Sequence, residues 1–172
     1  TLGSNQSITG FIFRLTDAAS PRVWSVLPIP TAVAWMARLV NLLWFGVAVV
    51  LVLRLRRAPG RWGEILGFSL FSIWVFNSAS NVWLHHAVAL GIPFAAAAAM
   101  ILARPDMAWR IDVALWGLAW GGILLFDVIY RMGALAERPP FVFLISLPLY
   151  GTLILFGLLA RMALREAKGA LR

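Results

Sequence analysis

The chain has 172 residues, a length that ordinarily makes one domain, but 62% of them are apolar, only 13% are charged, and the mean hydropathy is +0.86. A soluble domain is roughly half apolar and a quarter charged, so too few polar side chains are present to cover a surface in water, and a soluble globule is excluded. The absence of cysteine excludes a disulfide framework, a thiolate zinc site, an iron–sulfur cluster and a cysteine nucleophile, while the formal charge of +8 points to nucleic acid only until the basic residues are located.

Thr1 is not a methionine, and no basic region with an apolar core and small-residue cleavage site follows it, so a preceding segment is expected. Asn5-Gln6-Ser7 leads into Ile8, Phe11, Ile12 and Leu15 at helical spacing, which predicts a short amphipathic helix with Ser7 as its cap. Two readings stand for this segment. It is a capped helix lying at an interface, or its free N–H groups hold a phosphate. Asn5-Gln6-Ser7 also fits the weak N-x-S glycosylation pattern.

A spanning helix needs about 20 mostly apolar residues to cross roughly 30 Å of hydrocarbon. The first candidate runs from about Val33 to Leu53 and ends at Arg54-Leu55-Arg56-Arg57, with Pro59-Gly60 stopping it. The uncharged stretch Ile65–Ala103 would run about 58 Å as one helix, nearly twice the membrane, so it must fold back. The polar patch Asn77-Ser78-Ala79-Ser80-Asn81 with His85-His86 marks the hairpin, giving spans near Ile65–Phe76 and Ala87–Ala103. A fourth span is expected over Ile111–Tyr130. A fifth is expected over Phe141–Ala160, kinked at Pro148.

The fold class is therefore all-α: residues 1–30 as an outward segment with a short interfacial helix, and 31–172 as a five-span transmembrane bundle. The basic residues choose the side. Arg54, Arg56, Arg57, Arg61, Arg104, Arg110, Arg161, Arg165, Lys168 and Arg172 fall on one side, against Arg14, Arg22, Arg131 and Arg138 on the other. The positive-inside rule puts the C-terminus in the cytoplasm and the N-terminus and the His-His turn outside. The excess charge is then topology, and no nucleic-acid partner is implied.

Three outward clusters can carry chemistry. Adjacent helical residues project about 100° apart, so His85 and His86 cannot share one ion, and with no third His or Cys neither a zinc nor a haem site is expected. What remains is an imidazole bonding an anionic or hydroxylated ligand, or an interfacial pair reaching for water. Asn5-Gln6-Ser7 with Arg14 is the second cluster. Asp127 and Arg131 are the third, an i, i+4 pair that neutralises itself or serves a ligand or a proton. Asp112 reads as a boundary residue. The Ala95–Ala99 run and Gly117, Gly121 and Gly122 read as close helix packing.

The stretch Gly3-Ser4-Asn5-Gln6-Ser7-Ile8-Thr9-Gly10-Phe11-Ile12-Phe13-Arg14 resembles the "N-Q-S-hydrophobic…R" segment of polytopic GT-C glycosyltransferases, in the branch of bacterial polyprenyl-phosphate-mannose-dependent mannosyltransferases. That family follows it with an outward S-P-x-S-W-x-H-H turn and then a proline in the next helix. Here Ala79-Ser80-Asn81-Val82-Trp83-Leu84-His85-His86 and Pro93 stand in that order, with Ala79-Ser80 in place of Ser-Pro. The resemblance covers roughly Gly3 to Ala103.

It implies the C-terminal part of a longer enzyme whose catalytic acidic residue lies upstream. The reaction implied is transfer of a hexose, mannose foremost, from a polyprenyl-phosphate donor to a lipid or glycan acceptor with inversion, without a metal or cofactor. On this reading His85 and His86 bind the phosphate or stabilise it as it leaves. Asn5 and Gln6 bind sugar hydroxyls or phosphate, Arg14 or Arg138 neutralises charge, and Trp83 stacks on a sugar face. Two rivals are a small five-span carrier, disfavoured by midplane stretches nearly free of ionisable groups, and a non-catalytic accessory subunit.

Overall fold

The computed structural model describes residues 7–16, 31–56, 61–79, 84–103, 109–131, 144 and 146–169, and the side chains of 13, 14, 16, 84–86 and 126–131 lie outside that description. Among the described residues every regular element is helical. In chain order they are α1 (Ile8–Thr16), α2 (Thr31–Leu55), α3 (Arg61–Ser78), a 3-10 helix (Leu84–Leu90), α4 (Gly91–Ala103), α5 (Trp109–Arg131) and α6 (Leu147–Gly169). Two of them, α2 and α6, are long and apolar enough to cross a membrane.

α1 starts where the sequence says it should. The Gly10 amide donates to Ser7 Oγ at 3.1 Å and the Phe11 amide to the Ser7 carbonyl at 3.0 Å, so Ser7 satisfies donors that a helix start leaves open. Ile8 and Ile12, one turn apart, are buried in the same core as α2 and α3, and Phe11 meets Tyr150 of α6 edge-on at 5.8 Å.

α2 buries only a stripe: Val33, Ala37, Trp44, Ala48, Leu51 and Leu55, at spacings of three, four and seven. Its other faces carry Trp35, Leu39, Leu42, Leu43, Val47, Val50 and Leu53, all exposed. Leu42 and Leu43 are 65% and 64% exposed, far outside what a core helix of a soluble domain shows.

α6 is the centre of the bundle. It packs against α2, α3, α4 and, most extensively, α5, and it buries Leu149, Leu155, Leu158 and Leu159 completely or nearly so. Trp44 of α2 meets Phe156 edge-on at 5.2 Å, a geometry worth about 0.5–1.5 kcal/mol beyond the area it buries. α2 and α3 run antiparallel, since Asn41 reaches Ser78 while Val52 lies against Gly67. α5 and α6 are antiparallel as well, Asp112 facing Arg161 and Arg165 while Gly122 faces Gly151.

Two prolines set helix starts. Pro93, with no N–H to offer the Ala89 carbonyl, stands in the first turn of α4, and the chain before it is wound more tightly as the 3-10 helix instead of extending the α-helix from Ala87. The expected kink at Pro148 falls beside residue 145, which lies outside the described residues, while Leu144 before it is helical. α6 opens at Leu147, the Tyr150 amide donates to the Ser146 carbonyl, and Pro148 occupies the first turn, where a missing N–H costs nothing. The helix then runs to Gly169 instead of stopping at Ala160. Residues 141–143, the expected start, lie outside the described residues.

The small-residue reading is also revised. Gly122 packs as expected, but a Cβ on Gly117 or Gly121 would meet nothing within 4 Å, so these two are open positions. In the alanine run Ala96 and Ala97 are buried while Ala95 and Ala99 are exposed.

Candidate functional site

The two motif-bearing elements converge on one helix. α1, which begins directly after Asn5-Gln6-Ser7, packs on α2 and on α3, and the 3-10 helix that contains His85 and His86 packs on α3 and α4. Phe11 against Tyr150, and Thr152 against Asn77, set α1 level with the C-terminal end of α3, from which the chain leads to the 3-10 helix.

The predicted site residues themselves are only partly described. The backbone of Arg14 lies in α1 and that of His85 and His86 in the 3-10 helix, with their side chains outside the described set. Asn5, Gln6, Trp83 and Arg138 lie outside the described residues altogether. Asp127 and Arg131 are described as backbone of α5 only.

At this end of the bundle the described residues form a band of neutral hydrogen-bonding groups between helices. Asn77 is fully buried, its Nδ2 donating to the Ile73 carbonyl at 3.1 Å. Its Oδ1 lies 2.9 Å from Thr152 Oγ1, and the Leu149 carbonyl lies 2.8 Å from that same hydroxyl. One hydroxyl proton therefore serves two acceptors, one across the helix boundary and one within α6. Nearby, Ser78 Oγ donates to Asn41 Oδ1 at 3.1 Å, and Trp74 Nε1 donates to the Asn41 carbonyl at 3.2 Å. These amides and hydroxyls fix α2, α3 and α6 to one another beside the two motifs. They hold no proton to transfer near neutral pH.

Sequence reasoning named Asn77 but passed over Asn41 and Thr152. The signal was present: Asn41 is the one amide in the apolar run of α2, and Thr152 a hydroxyl in that of α6.

The opposite end of the bundle is ionic. Asp112 stands in the first turn of α5, at the end of the helix as expected of a boundary residue, but it is only 4% exposed, and there a carboxylate also suits the helix dipole. Its Oδ2 accepts from Arg165 Nη1 at 2.5 Å, and its Oδ1 lies 3.1 Å from Arg161 Nε, close enough for an ion pair although the alignment of a hydrogen bond is lacking. Arg161 and Arg165 are four apart, hence on one face of α6, and both side chains stay more than a third exposed or nearly so. Glu166 in the same turns is also buried. At the other extreme of α2, Arg38 stands over the Trp35 ring at 4.9 Å.

Among the described residues no group of three or more His, Cys, Asp or Glu side chains is arranged to hold a metal ion. Compared with known proteins, the chain matches no family model, no curated protein and no solved structure.

Proposed function

We propose that this chain is part of a membrane-embedded glycosyltransferase that moves a hexose, mannose foremost, from a polyprenyl-phosphate donor to a lipid or glycan acceptor on the outer face of the plasma membrane. What supports the reading is the convergence of α1, which follows Asn5-Gln6-Ser7 in the sequence, and the 3-10 helix that contains His85 and His86 on the same end of α3, two segments far apart in sequence whose motif order resembles that of one enzyme family. The exposed leucines of α2 support a lipid surround, where apolar side chains meet no penalty. The reading has α2 to α6 as five spans alternating in direction, the C-terminus cytoplasmic.

The reaction is a displacement. An acceptor hydroxyl oxygen attacks the anomeric carbon opposite the phosphate, the bond from that carbon to the phosphate oxygen breaks, and its electron pair leaves on the polyprenyl phosphate. The hydroxyl proton passes to a base that is assigned to no residue here. His85, His86 and Arg14 or Arg138 stabilise the charge growing on the leaving phosphate, Asn5 and Gln6 hold the sugar hydroxyls, and Trp83 stacks on the sugar.

The test is transfer from radiolabelled polyprenyl-phosphate-mannose in membranes holding the protein. His86→Ala is expected to lower transfer at least tenfold while insertion stays normal, about the effect of one lost charge-stabilising group. Full activity in His86→Ala and Gln6→Ala would remove the assignment. A protein with no transferase activity at all would favour the carrier or accessory readings.

A further inference from the structure

A second feature lies at the end of the bundle away from the histidines. Where the C-terminal end of α2 meets the first turns of α3, a cavity of about 710 Å³ opens between the two helices. One wall is apolar, made by Val52, Gly67, Phe68 and Phe71, and Phe68 is 58% exposed, so this wall faces the outside of the bundle. Gly67 is what makes it a groove. A Cβ there would sit 3.5 Å from Val52, so any larger side chain at this position would extend into the space between the helices.

The mouth is charged. Arg56 and Arg61 line it from the two helices, both exposed, and neither guanidinium pairs with a carboxylate among the described residues. Glu64 lines the mouth as well, leaving one positive charge in excess. Two guanidinium groups above an apolar slot match one kind of molecule, an amphiphile with a phosphate head and a hydrocarbon tail. Arginine binds phosphate by paired N–H donors. A juxtamembrane basic cluster also draws anionic lipid with about 1 kcal/mol per residue.

From this arrangement we infer that the α2–α3 groove binds an anionic phospholipid of the cytoplasmic leaflet. Arg56 and Arg61 hold the headgroup phosphate, and an acyl chain lies along Gly67, Phe68 and Phe71. The site rests on the membrane placement argued above and not on sugar transfer. A loss of lipid binding in protein that still inserts therefore counts against this site alone.

The test uses the full chain purified in detergent and stripped of lipid, then offered an equimolar mixture of phosphatidylglycerol and phosphatidylcholine, with bound lipid counted by native mass spectrometry. One phosphatidylglycerol is expected to be retained in preference. Arg56→Gln and Arg61→Gln are each expected to weaken retention about fivefold, following the energy per basic residue. Gly67→Leu, which fills the slot and leaves the charge, is expected to abolish it. Arg54→Gln, a basic change outside the groove, should leave retention as it is.

Equal retention of the two lipids would overturn the site. So would an Arg54→Gln loss as large as that of Arg56→Gln, or competition by soluble glycerol phosphate as strong as by intact lipid. The arginines are exposed and their replacement leaves the core untouched, so they decide the question even if Gly67→Leu misfolds.

Discussion

The contact between α5 and α6 can be tested with a single methyl group. A Cβ on Gly151 would sit 2.6 Å from the Ala119 carbonyl oxygen and 3.2 Å from Ile123, and the first of these is backbone that cannot swing aside. Ordinary contact begins at 3.4 Å, so Gly151→Ala must drive the two helix axes apart by about 0.8 Å, the kind of overpacking that costs roughly 1–3 kcal/mol. Alanine also gains about 1 kcal/mol of helix propensity over glycine, which masks part of that cost. Gly157, in the same helix with nothing within 4 Å of its would-be Cβ, supplies the correction. Gly157→Ala should be neutral or stabilising, and Gly151→Ala should lie about 1–3 kcal/mol below it. Gly122→Ala, 3.0 Å from the Leu147 carbonyl, should fall between them. Reversible unfolding in mixed micelles, followed by tryptophan fluorescence, measures all three. If Gly151→Ala proved as stable as Gly157→Ala, the close backbone approach of α5 and α6 would be wrong.

Other expectations concern polar contacts and topology. Asn77→Leu and Thr152→Val each remove one side of a buried hydrogen bond. A double-mutant cycle by the same unfolding assay should give a coupling of about 0.6 kcal/mol, in the range seen between membrane helices, and zero coupling would deny the bond. Asp112→Asn strips the counter-charge from two arginines, and should cost about 1–3 kcal/mol, less than a fully buried pair because Arg161 and Arg165 reach water. Arg161→Gln in the same background should recover part of it. The cysteine-free sequence allows single-cysteine labelling without background. Lys168→Cys is expected to react only after the membrane is opened and Ser80→Cys in intact cells, and the reverse pattern would invert the proposed orientation.

Much of the helix layout could be read from the sequence because apolar runs and their breakers are local signals. Ser7 was legible as a cap, and α2 and α5 fall within a few residues of the apolar runs that suggested them. What escaped was set by neighbours. The partners of Asp112 escaped because its two arginines lie far along the chain. Gly117 and Gly122 are alike in sequence, and only the passage of Gly151 beside one of them makes that one a packing residue. The candidate site was legible only as motifs. That α1 and the His-bearing helix meet at α3 follows from tertiary packing, which periodicity does not encode.

The place of α6 has a bearing on how the protein is made. The helix that touches α2, α3, α4 and α5 leaves the ribosome after all four of them, so until it arrives each lacks a partner of the finished bundle. The antiparallel α2–α3 pair can form as soon as both are synthesised. α5 must wait for the partner that covers Gly122 and binds Asp112. Assembly is thus back-loaded, with an interval in which a carboxylate and a glycine-lined face stand open to lipid or to a chaperone. Changes in α6 should then act less on a finished structure than on whether one is ever completed.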